Sequence, residues 1–550
     1  MNQGASHIYL EQVWRQLPRV FSRGDWEPFS KSYGCCDRTY WAWKFTDFPG
    51  ARFQEAAYAL ASLYTSPWPD NPFYQNPKAL RRAGAVMRYW QSIQCADGSY
   101  NEAYPHEHSL AATAFTAFYV GEALSLLAGH LPEEQVRSLR DTLARCGDWL
   151  IANDESHGVL SNHLAAAAAA MTVIHLNSND ARHADRARHF LARIFRHQSE
   201  EGWYEEYGGA DPGYQTHGTF YLARIWQLTG DAQLLESLVK ANRFLAHCIH
   251  PNGSLGGEYG SRNTEFFFPA AFEILSNVCE SGKAIAAFMR DCLRRQAAAG
   301  LAAVDAFNLF PMLNNYLFAA ANADADLQPA VQLPFQQAGQ WDFPRAGLHM
   351  RGTQRYYAVL GTSKGGVLKV FGKDGSYYSD CGYWVKLAHG LIATSQTLQL
   401  SPPVERDGDE FVVETRFSFL KQKLMSPTLF LAFRLFNLGP GRFRRLGYWV
   451  KKCLVAALVT KAKAAPLSLR RRVQFGDDYV RISDAITLDG GDKAVSLGCD
   501  DKFSAIHMGS SRYFQWQDMG PSWFEPARPG REIQELNESG RLIIEKNFEL

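Results

Sequence analysis

The chain has 550 residues, which is too long for a single compact core and predicts two or three domains. Lys and Arg number 57 against 56 Asp and Glu, so the net charge of +1 gives the whole molecule no bias toward nucleic acid or membrane. Apolar residues make up 46% and charged residues 21%, a balance that argues against long disordered regions.

The N-terminal segment "MNQGASHIYLEQVWRQL" has no basic region followed by an apolar one, so no secretory signal is predicted. No window reaches 18 uninterrupted apolar residues, so no membrane-spanning helix is predicted. The ten cysteines are scattered, and the only close pair, Cys35 and Cys36, lacks the spacing of a zinc or redox motif. These features predict reduced thiols and a cytoplasmic location.

Up to about residue 320, apolar residues recur at spacings of three and four with much alanine, as in "NHLAAAAAAMTVIHL", which predicts α-helices. Four segments that begin at residues 87, 147, 191 and 242 repeat one pattern: a helix, a turn with glycine, a polar loop and a small-residue helix. Helix pairs that bury their apolar faces only against neighbouring pairs stack in a closing curve. The sequence therefore predicts an incomplete α/α toroid whose loops gather around a cleft.

The stretch "NADADLQPAVQLPFQQAGQWDFPRAG" breaks the helical periodicity with prolines and polar residues. Short alternating runs such as "RYYAVLGTS" and "EFVVETRFSFL" follow it, and they are typical of an antiparallel β-sandwich. We predict a catalytic toroid over residues 1–322, a linker over 323–345 and a sandwich over 346–550.

The polar loops of the four repeats supply the candidate site. In the third repeat, "EGWYEEYGGADPGYQTHG" sets tyrosines, carboxylates and a histidine around a Gly/Pro turn. In the second, Ser161 is the expected N-cap, and Asn162 and His163 open an alanine-rich helix, where an amide, an imidazole and free N–H groups can face an anion. Each residue alone is explained as a cap or first-turn residue, but their enrichment on one face points to a site. The candidate substrate-binding residues are Glu102, Tyr104, His106, His108, Glu206, Asp211, Glu258, Arg262 and Asn263.

A toroid followed by a sandwich, with an Asn-His pair opening a helix and then Gly, Glu and Tyr-x-x-His around a Gly/Pro turn, resembles the heparinase II/III-like polysaccharide lyases and their alginate-lyase relatives. Specific residues match only over about 153–221. The resemblance implies β-elimination on an acidic, uronate-containing bacterial glycan. In that reaction Asn162 and His163 would neutralise the uronate carboxylate, Tyr214 would be the acid or base with His217 as its partner, and Tyr207 is the competing tyrosine.

The sandwich departs from the pattern of this family, whose members usually contribute a histidine, often within a metal-binding cluster. Residues 371–400 offer only Asp374, Asp380 and His389. No cofactor is predicted, and a structural divalent metal is left open. Two alternatives follow: a glycoside hydrolase of the same fold that uses paired carboxylates, and a non-catalytic glycan-binding or polysaccharide-assembly protein.

From Arg416 to Gly476 there is no Asp or Glu, while Lys and Arg number 14. We predict a basic helical insertion in the sandwich around residues 436–470, which either lies on a membrane surface, lines a groove for an acidic polymer, or is merely solvated. We favour contact with an anionic glycan, including a lipid-linked one at the inner membrane. The basic patch comprises Arg442, Arg444, Arg445, Lys451 and Lys452.

Overall fold

The structure is a computed structural model. It describes residues 3–550 apart from 156–157, 326, 421–423, 425, 444–445, 448, 451–462, 501, 507–512 and 514–529. A helical N-terminal domain is followed by two antiparallel β-sheets, so the predicted fold class is confirmed.

The helical domain has these α-helices in the described residues: α1 (Gln3–Phe21), α2 (Ala56–Thr65), α3 (Pro77–Ser92), α4 (Leu110–Leu127), α5 (Glu133–Ala152), α6 (Ser161–Ser178), α7 (Ala181–Arg196), α8 (Pro212–Thr229), α9 (Ala232–His247), α10 (Ala270–Ile274), α11 (Glu280–Arg294) and α12 (Leu309–Asn322). The even-numbered helices form an inner ring in chain order, and α12 packs on α2 to close it. The odd-numbered helices pack outside this ring. The ring is thinnest at α10, which has only five residues.

The inner helices are apolar on all sides because they are surrounded by protein. Small residues let them approach closely: a Cβ added to Gly121 in α4 would lie 2.5 Å from Val173 Cγ1 in α6. Helix α4 is the one helix of the described residues that is long and apolar enough to cross a membrane, and 89% of it is buried within the fold. It is a core helix of the toroid.

The glycine turns that carry the sequence repeat have one structural cause. Gly98, Gly202 and Gly253 all have positive φ, and an added Cβ would lie 2.3 Å from a carbonyl oxygen of α5 at Gly98 and of α9 at Gly202. At Gly253 it would lie 2.9 Å from Cys292 Sγ in α11. Glycine is therefore needed both for the left-handed turn and for close packing on the next outer helix.

The β-region consists of two sheets. The first has the order β3 (Gly339–Phe343), β4 (Leu348–Gly352), β5 (Tyr356–Gly361), β6 (Val367–Gly372) and β7 (Tyr377–Asp380). The second contains β8 (Tyr383–Leu387), β9 (Ile392–Thr394), β10 (Val404–Asp407), β11 (Glu410–Phe419), β12 (Ala464–Phe475), β13 (Tyr479–Leu488), β14 (Ala494–Cys499) and β15 (Arg541–Glu549), in the order β14-β8-β9-β11-β12-β13-β15 with β10 on β11. Strand β3 falls inside the predicted linker. The first sheet packs on the toroid, since Leu348, Met350 and Tyr357 belong to the toroid's hydrophobic core.

The insertion between β11 and β12 differs from the predicted one. Its described helix is α13 (Pro427–Leu438), which begins before residue 436. Residues from 464 onward belong to β12, where buried and exposed side chains alternate. The prediction of helix up to 470 was wrong because the run "RRR" reads as a basic surface, whereas Arg471 is a buried strand residue. A further helix, α14 (Arg531–Ser539), precedes β15.

Candidate active site

The second-repeat loop places Asn162 and His163 at the start of α6. The N-cap is Leu160, and the Ser161 hydroxyl donates instead to the carbonyl oxygen of Glu205 (2.6 Å), so the expected cap at Ser161 was wrong. Asn162 is buried, and its Nδ2 donates to Glu206 Oε1 (2.7 Å). His163 Nδ1 lies 2.9 Å from Glu155 Oε2. Each of the two side chains is therefore paired with a carboxylate of the protein itself, Asn162 with Glu206 and His163 with Glu155.

The charges of this group follow from burial and pairing. Burial opposes protonation of His163, but the hydrogen bond and charge of Glu155, with smaller effects of Glu206 and Glu102, raise its pKa. Burial raises the pKa of Glu206 to about 7, although His163 and the hydrogen bonds from Asn162 lower it. Glu155 therefore favours the charged imidazolium of His163, beside the carboxyl group of Glu206, which is about half protonated near pH 7.

Tyr207 completes this group from the tip of a short hairpin, β1 (Glu205–Glu206) and β2 (Gly209–Ala210). Its φ is 54°, and the guanidinium carbon of Arg262 lies 4.0 Å from the centre of its ring. Burial and the charge of Glu206 raise the pKa of Tyr207 to about 12, with Arg262 opposing. The phenol is therefore protonated at neutral pH and suits a proton donor. The set is called the polar cluster below: Glu155, Asn162, His163, Glu206 and Tyr207.

Phe115 of α4 connects the polar cluster to the third repeat. Its ring lies 5.8 Å from that of His163 and 5.5 Å from that of His217, and the guanidinium of Arg52 lies 4.3 Å from it. His217 is buried, stacks on Phe268 and makes its hydrogen bond through Nε2 with the Tyr221 hydroxyl (3.1 Å). Burial, followed by the charge of Arg52, holds its pKa well below the ordinary value. His217 is therefore a neutral core histidine partnered by Tyr221, which corrects the predicted pairing with Tyr214.

Tyr214 lies on the first turn of α8 and faces the fourth-repeat loop. Its backbone N–H donates to Asp211 Oδ1 (3.1 Å) and Thr264 Oγ1 (3.2 Å), and its ring meets Phe266 edge to face at 5.3 Å. These contacts differ from those of the polar cluster. Of the two predicted tyrosines, Tyr207 therefore belongs to the polar cluster, whereas Tyr214 packs on Phe266.

Three residues predicted to bind substrate have structural partners instead. Asp211 is fully buried as the N-cap of α8, and its Oδ2 accepts from the Arg262 N–H (2.8 Å). Glu258 lies 2.6 Å from Lys369 Nζ of β6; although burial would raise its pKa, Lys369 and Lys502 hold it below the ordinary value. Asn263 Nδ2 donates to Gln396 Oε1 (2.8 Å). The buried groups of these three residues join the toroid loops together and to the sandwich, and their contact with substrate stays a prediction.

The first-repeat loop carries four of the predicted substrate-binding residues, and Glu102 lies near enough to the polar cluster to act on the pKa of His163 and Tyr207. Glu102 pairs with Arg52 (3.4 Å), and the Tyr104 ring lies 5.2 Å from that of Phe433 in α13. His106 has a positive φ, and burial, with the nearby Arg442, lowers its pKa. His108 Nδ1 lies 3.0 Å from Asp97 Oδ2.

One group in the described part of the chain has the ligand types and spacing for a metal ion. Atoms of Cys95, Asp97 and His108 lie within 4.8 Å of one another. Hydrogen bonds to Asp97 and Cys95 raise the pKa of His108 to about 9, so the imidazole is protonated at neutral pH. A metal ligand must be the neutral imidazole, so the arrangement as it stands is an ion pair rather than a formed metal site.

The sandwich residues singled out in the sequence lie in turns or in buried ion pairs, and one buried lysine of the sandwich stands apart from them. Asp380 is buried in ion pairs with Arg471 and Lys546, His389 lies in a turn of the β8–β9 hairpin, and Asp374 caps an exposed turn. Lys364, after β5, is fully buried, and its Nζ has no hydrogen-bond partner among the described residues. Burial lowers its pKa to about 7, with the charge of Asp211 opposing.

Some residues of the site were not predicted from the sequence. Arg52 and Phe115 lie at least forty positions from every residue of the polar cluster in the chain, and Lys364 follows a strand. Glu155 stands in the loop "NDESHG", close to Asn162 in sequence, and its acidic side chain was the one available signal. Of the basic patch, Arg442 ends a short 3-10 turn and is exposed, while Arg444, Arg445, Lys451 and Lys452 lie outside the described residues.

Comparison with known proteins bears on both domains. A family model described as the ulvan lyase N-terminal domain matches residues 49–268, a range that contains the whole polar cluster. No curated protein matches the sequence. The solved chondroitin AC lyase of Streptomyces coelicolor A3, in complex with chondroitin sulphate, is 12% identical with a TM-score of 0.55 and is covered over 68% of its length by 90% of this chain. Paenibacillus xanthan lyase is 9% identical with a TM-score of 0.53, over 90% of this chain and 46% of that one.

At these identities the solved structures establish the fold. The two findings agree with the resemblance drawn from the Asn-His pair and the Gly/Pro turn, which is confirmed. Residues 49–268 are similar to the ulvan lyase N-terminal domain, and the chain as a whole has the fold of the solved polysaccharide lyases that combine a helical toroid with a β-sandwich.

Proposed function

We propose that this chain cleaves a uronate-containing polysaccharide by β-elimination at the polar cluster. The observation that carries the proposal is the meeting of Asn162, His163, Glu206 and Tyr207 in one corner of the toroid, where Glu155 raises the pKa of His163, burial raises the pKa of Glu206 to about 7, and the phenol of Tyr207 keeps its proton. A cation and a neutral carboxyl group suit a carboxylate ligand, and a phenol suits proton transfer to or from a sugar.

The reaction breaks the C5–H and C4–O bonds of the uronate and forms a C4=C5 double bond. A base takes the C5 proton, and Tyr207 gives its proton to the leaving glycosidic oxygen. The base then returns a proton to the Tyr207 phenolate through solvent, so that the net change moves one proton from C5 to the leaving oxygen. His163, whose side chain keeps 24% of its surface exposed, is the cation for the uronate carboxylate. As C5 loses its proton, the negative charge left on C5 spreads onto the carboxylate. A fixed cation beside the carboxylate therefore lowers the barrier. Asn162 is a positioning residue that holds Glu206 at the same corner.

Tyr207 is the proposed donor to the leaving oxygen. Its raised pKa keeps the proton on the phenol at neutral pH, and Arg262 above the ring fixes its position. Tyr214 remains the competing candidate for the acid or base. An acidic bacterial glycan, free or lipid-linked, is the proposed substrate class.

The reaction type is tested by incubating the protein with uronate polysaccharides, chondroitin sulphate and xanthan among them. A lyase raises both the ultraviolet absorbance of the unsaturated product and the number of reducing ends. Reducing ends without absorbance would show hydrolysis, and neither signal with any polymer that binds would show a binding protein. Either result would refute the proposal.

The ionisation of Glu206 gives a prediction for pH dependence. Its pKa of about 7 means that the carboxyl is protonated below this pH and charged above it. A charged Glu206 repels the uronate carboxylate, so KM is expected to rise roughly tenfold between about pH 6 and pH 8. Glu155 raises the pKa of His163, which favours its charged form in the lower part of this range.

Glu206→Gln is the matched variant for this test. The amide oxygen keeps an acceptor for Asn162 Nδ2 but removes the titration. KM of the variant is expected to be independent of pH over the same range. An unchanged rise of KM in Glu206→Gln would show that another group titrates.

A further inference from the structure

The insertion of the sandwich presents an unusually apolar surface to solvent. In α13, Leu429, Phe430, Leu431, Leu435 and Leu438 are between 48% and 64% exposed. Only Asn437 of this helix is buried. Exposed apolar side chains are common singly, but five in one twelve-residue helix mark a surface that meets a partner.

A second exposed apolar element stands beside α13. The turn at residues 39–45 carries Trp43 and Phe45, which are 61% and 81% exposed and stack on each other at 6.2 Å. The two elements are joined by an ion pair between Arg434 of α13 and Asp47 (2.9 Å). The surface formed by these seven apolar side chains is called the apolar face below.

The charge of the insertion selects the partner of the apolar face. Between β11 and β12, residues 420–463 contain ten Lys and Arg and no Asp or Glu, and of these ten the structure describes Arg434, Arg442 and Lys463. Lys44 lies between the two exposed aromatics, and Arg442 follows α13 and is exposed. Apolar side chains next to an excess of cations fit the boundary between acyl chains and anionic headgroups of a bilayer.

The same features weigh against other occupants. An acidic polysaccharide satisfies the cations but gives five leucine and phenylalanine side chains of a helix nothing apolar to bury against. A second copy of this chain would bring two basic, acid-free segments together, and their like charges would repel each other. A lipid surface meets both requirements at once.

We propose that the apolar face docks the protein on an anionic lipid membrane. The inner side of α13 contacts the first-repeat loop, where Phe433 meets Tyr104 and Arg442 lies near enough to His106 to lower its pKa. Docking therefore brings one side of the cleft to the membrane surface. The inference stands on the exposed surface and does not depend on the proposed reaction.

The test uses the full chain and sedimentation with large unilamellar vesicles. Binding is expected with vesicles of phosphatidylcholine and phosphatidylglycerol, to weaken as salt increases, and to be at least tenfold weaker with phosphatidylcholine alone. Equal partitioning into both kinds of vesicle, or into neither, would overturn the proposal.

The double variant Leu431→Glu/Leu435→Glu is expected to lose at least tenfold in partitioning onto the anionic vesicles, since both side chains are exposed and outside the cleft. Val495→Glu/Ile543→Glu is the matched control, because these side chains are 55% and 54% exposed on the sandwich strands β14 and β15. The control is expected to bind as the native chain does, and circular dichroism checks that both variants fold.

Two further measurements separate the alternatives. Light scattering tests for a dimer that the Leu431→Glu/Leu435→Glu variant loses, and retention on a soluble acidic polysaccharide tests for a glycan face. Either signal, with vesicle binding unchanged in the variant, would overturn the membrane assignment. Cleavage of a soluble substrate is expected to be unchanged in the variant, so a failure of docking and a failure of the proposed reaction are distinguishable.

Discussion

Replacement of Tyr207 by Phe is expected to lower kcat on the uronate polysaccharide about a thousandfold, because it removes the proton donor while keeping the ring. Arg262 continues to stack on a phenyl ring, so the loop keeps its shape. KM is expected to change little, since the hydroxyl acts on the leaving oxygen rather than on the carboxylate. Steady-state kinetics that follow the absorbance of the unsaturated product measure both quantities.

Tyr214→Phe is the matched comparison, and it is expected to keep kcat within about tenfold of the native enzyme. Its ring packs on Phe266, and the backbone bonds that fix the first turn of α8 do not involve its hydroxyl. If Tyr214→Phe abolished cleavage while Tyr207→Phe remained active, the roles assigned to the two tyrosines would be reversed. Unfolding temperatures of both variants separate loss of chemistry from loss of structure.

The toroid was predictable because its repeat is written in local sequence. Gly98, Gly202 and Gly253 need a positive φ and a hydrogen in place of Cβ, while Gly158 of the second repeat needs only the positive φ. Gly34, after α1, makes the same kind of turn, with an added Cβ 2.3 Å from the Ala85 carbonyl oxygen of α3, but it was not among the recognised repeats, and α10 is only five residues long. The sequence therefore indicated four repeats but did not show how the ring closes. Closure depends on contacts between segments that are distant in the chain, such as α12 and α2.

The site was predictable only in part, for the same reason. Asn162, His163, Glu206 and Tyr207 stand in loops with an unusual polar composition, and the structure brings them together. Their environment comes from Phe115 and from other residues more than forty positions away in the chain, which no local pattern relates to them. Asp211, Glu258 and Asn263 stand in the same loops, and only the structure shows that they are paired with Arg262, Lys369 and Gln396.

Replacement of Arg471 by Met is expected to destabilise the protein by about 3–5 kcal/mol, because it leaves buried carboxylates short of a cation. Arg471 is fully buried in β12, with Nη2 2.7 Å from Asp484 Oδ2 and 3.0 Å from Asp380 Oδ2. In the variant, Lys546 is the one cation of the described residues left beside these two carboxylates, at 2.7 Å from Asp380 and 3.7 Å from Asp484. Urea denaturation at pH 7 measures the loss.

The pH dependence of this loss identifies its cause. Although burial opposes it, the charges of Arg471 and Lys546 hold the pKa of Asp380 below its ordinary value, so the native pairing stabilises the fold above the unfolded pKa of about 4 and fades as the pH falls further. In Arg471→Met the buried carboxyl takes up a proton more readily, so the difference in stability from the native chain is expected to shrink as the pH falls from about 7 toward about 4. Arg472→Ala is the control, because its side chain is half exposed and its ion pair with Glu410 is worth about 0–1 kcal/mol. A loss in Arg471→Met that stayed constant across this range would mean that packing of the side chain, rather than charge pairing, stabilises the sandwich.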